Sequence, residues 1–347
     1  FGFILKMTRL LQVMAGAPNG GAELFFSRLA IALSEIKYSQ KVVIRKNTER
    51  SRQLKENNVD VTEMPFGGAL DFLTSYKLRK LAADYQPGIV LTWMTRATQK
   101  LPKGTFKHVA RLGGYYNLQK YRKCDYLIGN TQTIISYMTQ HGWPSDKIIY
   151  IPNFVEERRG LPLERSMFDT PSGFPIILAL GRLHENKGFD VLLEALAAVP
   201  DVFLWLAGDG PQKQNLIRIA DNLKIADRVR FLGWRSDTSD LLAAADALIC
   251  PSRHEPLGNV ILEARVQGKP VIAAASDGPK ELITSGKNGF LCEIDNPTNL
   301  ADTIKVLLGD ANLAEELASE GKKTYERNFS KKIIVKQYTD FFDKLVK

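Results

Sequence analysis

Short apolar runs, each followed by an amphipathic stretch, recur along the whole chain, and this alternation restricts the fold more than any other feature. Runs rich in Val, Ile and Leu and bounded by Gly, Asn or Pro read as strands. When helical stretches separate them, the strands must run parallel and be covered on both faces. In the first half the expected strands are Arg9–Met14, Lys41–Ile44, Val59–Met64, Ile89–Trp93, His108–Leu112, Tyr126–Gly129 and Ile148–Ile151, with helices between them such as Ala22–Ser34 and Leu70–Tyr85. After "IPNF" (Ile151–Phe154) the polar, Pro- and Gly-punctuated "VEERRGLPLERSMFDTPSG" reads as a linker. The alternation then restarts. "PIILALG" is an expected strand, "GFDVLLEALAAV" a helix, "VFLWLAG" a strand and "QKQNLIRIADNL" a helix. "VRFLG", "ALICP" and "PVIAA" carry the strand series to about Ala274. The fold class is therefore α/β, as two doubly wound units in tandem, and 347 residues suit two domains better than one core. The expected division is 1–155, completed by a helix over 330–347, and 156–329. In that final stretch Ile333, Ile334, Tyr338, Phe341, Phe342 and Leu345 fall at helical spacing, and an exposed part of the first domain is one surface they can cover.

Hydrophobic content of 44% with 24% charged residues is ordinary for a globular protein, and no apolar run reaches the length of about 18 that spans a bilayer. Met7–Ala17 has the superficial outline of a short signal peptide, but the amphipathic stretch that follows at once favours a first strand and a Gly turn. Phe1–Lys6 reads as an upstream extension or an expression remnant. Three cysteines, Cys124, Cys250 and Cys292, without metal spacing suggest a reducing cytosol. The net charge of +9 is uneven: residues 1–155 hold 22 Lys and Arg against 10 Asp and Glu, whereas the rest hold 25 against 28. That asymmetry fits a polyanionic partner for the first half, either acidic lipid head groups or nucleic acid, and equally a solvated basic face.

Ligands of open α/β sheets bind beyond the carboxyl ends of the strands, so chemistry is sought in the segments that follow them. "NGGAE" (Asn19–Glu23) follows the first strand and opens a helix; Gly20 and Gly21 permit close backbone approach, although alone they make an ordinary turn. Neither a dinucleotide G-x-G-x-x-G nor a P-loop occurs here. "GRLHENKG" (Gly181–Gly188) sets Arg182 and Lys187 on either side of a loop that leads into a helix, a pairing suited to a pyrophosphate unless both are solvated loop charges. In "SRHEPLGNVILEA" (Ser252–Ala264), Leu257, Gly258 and Asn259 would offer the first amides of a helix to a phosphate. Asn259 and Glu263 share one helix face, where Glu263 can accept both hydroxyls of a ribose. Glu255, ahead of the helix, is expected to reach the opposite way.

Taken together, "GRLHENKGFDVLLEAL", "AGDGP", "VRFLGW", "ADALICPSRHEPLGNVILEA", "GKPVIAAASDGPKELI" and "NGFL" resemble the retaining nucleotide-sugar glycosyltransferases of family four, and most closely those that build bacterial lipopolysaccharide and surface glycans. The likeness covers nearly all of residues 176–310 and extends more weakly to "NGGAE", "IPNF" and the final helix. It implies a GT-B fold of two Rossmann-like domains facing a deep cleft, with the donor held mainly by the second, no metal and net retention at the anomeric carbon. By position it implies that Arg182 and Lys187 hold the donor diphosphate and neutralise the leaving group. Glu263 would bind ribose, Glu255 the transferred sugar, and Leu257–Asn259 the phosphates through backbone. Gly20 and Gly21 would approach the diphosphate, and Gly233 in the Phe231–Trp234 loop would lie near the base. Many members of the family carry His where this chain has Gly113, so Tyr115, Tyr116 or Asn117 are expected to face the sugar instead; His108 reads as structural.

The reading is a cytoplasmic hexosyltransferase that touches the inner face of the cytoplasmic membrane through its basic half, by way of "SYKLRKLAADY" (Ser75–Tyr85) and "QKYRKCDY" (Gln119–Tyr126). Both segments are expected to mix cations and apolar residues at near-helical spacing. No cofactor is expected beyond the nucleotide sugar, which is a substrate, with UDP, GDP and ADP left open. The rival enzymes are a sugar-nucleotide epimerase or a phosphorylase of the same fold. A basic nucleic-acid-binding protein is the rival of another class, and it lacks RNP, KH and zinc-finger patterns.

Overall fold

The computed structural model describes residues 8–18, 20–68 and 71–346. The expectations for Phe1–Met7, Asn19, Leu70 and Lys347 lie outside them. Two compact units are present: Phe1–Phe154 with Lys331–Lys347, and Val155–Ser330.

The first unit runs β1 (Leu10–Met14), α1 (Gly21–Glu35), β2 (Gln40–Arg45), α2 (Thr48–Glu56), β3 (Val61–Met64), α3 (Phe72–Tyr85), β4 (Ile89–Trp93), α4 (Met94–Lys100), β5 (Lys107–Leu112), β6 (Tyr126–Gly129), α5 (Gln132–Gln140) and β7 (Ile148–Tyr150). Its seven strands are all parallel in the order β3-β2-β1-β4-β5-β6-β7. Every residue of β1 and β4 is buried, which explains why these runs carry no charge and are mostly apolar, with Gln12 and Thr92 as their polar members. Alternation along β1 sends Leu10 and Met14 to one face and Leu11 and Val13 to the other, and each face has its own core.

The second unit runs β8 (Ile176–Leu180), α6 (Phe189–Ala197), β9 (Phe203–Ala207), α7 (Lys213–Asn222), β10 (Val229–Gly233), α8 (Thr238–Ala244), β11 (Ala247–Cys250), α9 (Asn259–Val266), β12 (Val271–Ala274), α10 (Asp277–Leu282), β13 (Phe290–Cys292), α11 (Pro297–Gly309) and α12 (Ala311–Asn328). Its parallel sheet has the order β10-β9-β8-β11-β12-β13. The chain then returns to the first unit as α13 (Lys331–Val346), whose Ile334, Val335, Tyr338, Phe341 and Phe342 are buried in the core around α1 and β1. Phe25 meets Tyr338 and Tyr126 meets Phe341, with ring centroids 6.4 and 5.8 Å apart. Burying side chains of this size contributes roughly 1.5–3 kcal/mol each.

Three expectations are corrected. The strand series does not end at Ala274, since β13 adds a short edge strand. Val155–Gly173 is no free linker. Arg158 pairs with Asp240 at 3.0 Å, Gly160 N–H donates to Gln267 at 2.9 Å, and Trp205 Nε1–H donates to Thr170 at 2.9 Å, so the segment is strapped to the second unit. Gln119–Tyr126 is not an amphipathic helix: a single 3-10 turn, Leu118–Tyr121, leads into β6, and its Tyr121 and Cys124 are buried.

Candidate active site

The second sheet changes direction between β8 and β11. From β8 the chain passes through α6 to β9 on one side, and β11 pairs with the other side of β8. Loops leaving two such strands diverge above the carboxyl edge, which is where open α/β sheets hold ligands. The two loops here are Gly181–Gly188 and Pro251–Gly258, so both motifs singled out from the sequence arrive at one place.

Backbone hydrogen bonds stitch this edge together. Gly208 N–H donates to Gly233 O (2.7 Å), Gly181 to Ala207 (3.0 Å) and Leu183 to Asp209 (2.9 Å). His254 donates to Asn186 (3.2 Å) and Gly278 to Glu255 (2.8 Å). Two glycines make the approach possible: Gly188 adopts φ 62° with the Pro251 carbonyl where a Cβ would stand, and the Leu257 carbonyl occupies that place at Gly278.

Lys187 and Glu255 meet across the two loops, Nζ to Oε2, at 2.5 Å. Their side chains are 25% and 12% exposed, so the contact is partly withdrawn from solvent. Burial favours the neutral amine of Lys187, yet the Glu255 carboxylate outweighs this and holds its pKa above the ordinary range. Glu255 therefore has a partner in the cation loop that its place in the sequence did not disclose. The short Ser252–Glu255 turn, fixed by the Gly278 bond, aims it at Lys187. Beneath the pair, burial pushes the Cys250 thiol up to about 11, which leaves it protonated and inert.

Gly258, with φ 90°, is the N-cap of α9 and has no side chain to cap the first amides. Ile261, Leu262 and Ala264 are buried under this helix, while Asn259 and Glu263 share its half-exposed face, as their spacing predicted. Leu257 is buried and Arg182 is exposed at the start of its loop. Gly233 has open space where a side chain would stand, next to Trp234, which is 72% exposed.

Arg253 and Asp190 were missed in the sequence. The Arg253 guanidinium donates to both Asp190 oxygens (2.8 and 2.7 Å), to Asp295 (2.6 Å) and to the Glu185 carbonyl (2.7 Å), clamping one loop to the other. Burial would raise the Asp190 pKa, but the bonds from Arg253 prevail and lower it. An Arg in the "SRHE" run and an Asp in "GFD" were visible, but nothing local pairs residues so far apart.

Gly20, Gly21, Gly113, Tyr115 and Asn117 belong to the first unit. At the end of β1 the space left by Gly16 and Gly20 is taken by the carboxylate of Glu23, itself buried, which accepts the Ala17 N–H at 2.7 Å. Gly20 thus serves an internal contact that the sequence reading did not foresee, and Gly21 is exposed at the helix start. Behind Gly113 stands the buried Arg111, stacked on Phe25 and Trp93 and bonded to Asn153; Nη1 would lie 3.0 Å from a Cβ on Gly113. Tyr115 is 40% exposed and packs edge-on against Tyr137. Asn117 spends its side-chain oxygen on the Gln119 N–H at 3.0 Å, capping the following turn. The Tyr116 hydroxyl faces Met94 Sδ at 3.8 Å. His108 is buried against Thr92 at 3.0 Å, and burial lowers its pKa to about 4, consistent with a structural role.

Residues 163–324 match the family described as Glycosyl transferases group 1. The lipopolysaccharide core biosynthesis glycosyltransferase LpsE of Rhizobium meliloti (strain 1021) is 37% identical over 325 residues, which cover 92% of this chain and 95% of that protein. Among solved structures, a glycosyltransferase from Rickettsia africae ESF-5 superposes with a TM-score of 0.86 at 22% identity, covering 99% of each chain. The Anabaena HepE protein, solved with UDP and glucose, gives 0.82 at 22% identity over 96% of this chain and 99% of that one. The two parallel sheets of seven and six strands are those of the GT-B fold. With its motifs gathered at the switch point of the second sheet, and with these relatives, the chain belongs to the group 1 glycosyltransferases.

Proposed function

We propose that this glycosyltransferase moves a sugar from a nucleotide-sugar donor to a lipid-linked glycan of the lipopolysaccharide-core kind, without a metal and with net retention. The observation that carries the donor side is the Lys187–Glu255 pair at the β8/β11 switch point, with the exposed Arg182 earlier in the same loop as Lys187 and the uncapped start of α9 following Glu255. LpsE, by its name, supports the acceptor class, and the HepE complex with UDP and glucose favours a uridine diphosphate donor.

In this reading Arg182 and Lys187 meet the diphosphate, with the amides from Leu257 to Asn259 completing the cradle. Glu263 accepts the ribose hydroxyls. Glu255 orients Lys187 and hydrogen-bonds the hexose, while Gly233 leaves room for the base. The bond from the anomeric carbon to the leaving phosphate oxygen breaks, and the acceptor oxygen bonds that carbon from the same face. The acceptor proton passes to the departing phosphate. Cations aimed at charge that develops in the transition state act without reorganising, so Arg182 and Lys187 supply leaving-group stabilisation that a metal would otherwise provide. Gly113, Tyr115 and Asn117 are assigned to the acceptor side, with Asn117 acting through the turn it caps. The basic first unit contacts an anionic membrane, and no nucleic acid is involved.

The test combines a thermal-shift panel of UDP-, GDP- and ADP-sugars with transfer of labelled sugar onto lipopolysaccharide-core acceptors. A donor at a hundred times its Kd stabilises the fold by about 2.7 kcal/mol. Transfer in the presence of EDTA, with the product's anomeric configuration matching the donor's, is the expected result. Strict dependence on a divalent cation, inversion, or conversion of the sugar without any acceptor would refute the corresponding part.

A further inference from the structure

Helix α3 is fixed at its start by Asp71, whose oxygens accept the Thr74 N–H (3.0 Å) and the Gly67 N–H (2.7 Å). Thr74 and Leu78 are buried beneath it, and Leu81, Ala82 and Tyr85 are half-buried on the same side. The opposite side is unusual for a surface helix: Phe72 is 74% exposed, Tyr76 66% and Leu73 52%, three large apolar side chains on adjoining turns. The same outward side continues through Lys77, Arg79 and Lys80, all exposed, with Asp84 as its acid. More cations gather at the helix start. Lys100 Nζ donates to the Asp71 carbonyl at 2.8 Å, and the Ser75 hydroxyl donates to the Lys100 carbonyl at 3.0 Å. Arg96, on the same short helix α4, donates to the Phe66 carbonyl at 3.2 Å.

We infer that this outward face of α3 is the surface by which the enzyme docks on an anionic bilayer, with Phe72, Leu73 and Tyr76 entering the acyl boundary and Lys77, Arg79 and Lys80 meeting lipid phosphates. The inference rests on the lipid-linked acceptor proposed above and adds where the membrane is met. Convex apolar tips rimmed by cations suit a fluid, negatively charged surface, because aromatic rings lodge at the head-group level and long cationic stems reach past them to phosphate. A second copy is a poorer occupant: a twofold contact here would set Lys77, Arg79 and Lys80 against their own equivalents. The charge excess is also not confined to the patch. It runs through the first half of the chain, 22 basic against 10 acidic residues, as attraction to an extended anionic plane requires. The other basic segment, Gln119–Tyr126, can add cations to that plane but no apolar anchor, since Tyr121 and Cys124 are buried.

The test is co-sedimentation of the full chain with phosphatidylcholine vesicles and with vesicles of equal parts phosphatidylcholine and phosphatidylglycerol. Transfer to a delipidated core glycan is measured in parallel. Each cation near an acidic surface is worth about fivefold in binding, so reversing three charges (Lys77→Glu, Arg79→Glu, Lys80→Glu) should lower the affinity for the anionic vesicles by more than about a hundredfold. Replacing Phe72, Leu73 and Tyr76 together by Ser should lower it by at least about tenfold, with the thermal midpoint and turnover of the soluble glycan unchanged. A serine variant that binds like wild type, wild-type binding that ignores phosphatidylglycerol, or a wild-type dimer that the serine variant dissociates would each overturn the inference. Soluble-glycan turnover without vesicle binding sinks the docking surface alone. Vesicle binding lost in the variants, with no sugar transfer by wild type, upholds the surface and sinks the enzymatic reading.

Discussion

The Lys187–Glu255 pair permits stability and catalysis to be separated in one experiment. Removing one member of a buried ion pair strands the other charge, at a cost of about 3–5 kcal/mol when burial is complete. Here the side chains retain 25% and 12% exposure, so Lys187→Met should cost about 2 kcal/mol, because among the described residues Glu255 then keeps the Ser252 hydroxyl, at 3.5 Å from its Oε2, as its side-chain partner. Glu255→Gln should cost less, since a neutral amide still bonds and strands only the more exposed ammonium. The double variant removes both charges, so the coupling between them should return about 1–2 kcal/mol of the summed losses. Urea unfolding of the four proteins measures this cycle. Donor turnover should behave otherwise. If Lys187 stabilises the departing diphosphate, the double variant regains stability but remains down by at least about a hundredfold in kcat/KM, roughly the 2.7 kcal/mol or more that one lost transition-state donor costs. A double variant that recovers activity along with stability would show that the lysine merely neutralises Glu255, and the assignment of Lys187 to the diphosphate would fall.

Other perturbations bear on the same edge and on the first unit. Gly188→Ala combines a left-handed φ of 62° with a clash against the Pro251 carbonyl, and should cost at least about 2 kcal/mol in urea unfolding; wild-type stability would mean that the two loops need not touch. Arg253→Ala should raise donor KM more than it lowers kcat, and should cost about 1 kcal/mol, a modest figure because the pair is partly solvated. Since Asp190 titrates below its unfolded value, that contribution is present above the unfolded pKa and should fade as pH falls through the native one; a pH-independent loss would contradict it. His108 is buried neutral with a pKa of about 4, whereas its unfolded value is about 6.5, so the unfolded chain binds more protons between them. Stability should therefore drop by up to about 3 kcal/mol as pH falls across that window, and His108→Asn should flatten this part of the profile.

What was legible in the sequence was whatever depends on near neighbours. The strands β1, β4, β8, β9, β11 and β12 are buried throughout and announce themselves as apolar runs, and the spacing of Asn259 and Glu263 placed them on one face of α9. The edge strand β13 escaped because it has three residues, two of them half-exposed, and so carries almost no pattern. Val155–Gly173 looked like a linker because it is polar, yet those polar groups are what tie it down: composition reports an affinity for hydrogen bonds and does not say whether water or protein supplies them. The partner of Glu255 stayed hidden for a related reason. Sequence spacing placed it before a helix, but its aim was set by Gly278, whose N–H fixes the turn, and by a lysine 68 positions away.

The glycines make the same argument in a sharper form. Gly20 and Gly188 both lead into helices after strands, and at Gly20 the sequence invites the reading that backbone comes close to a ligand. At Gly188 the space is filled by the Pro251 carbonyl, so the glycine brings two loops together. At Gly20 it is filled by the Glu23 carboxylate, which also closes over Gly16 and bonds the Ala17 amide. A glycine after a strand therefore marks close approach without naming what approaches. In this chain the groups that approach belong to the protein, and the approach at Gly188 fixes the two loops of the second unit that carry Lys187 and Glu255.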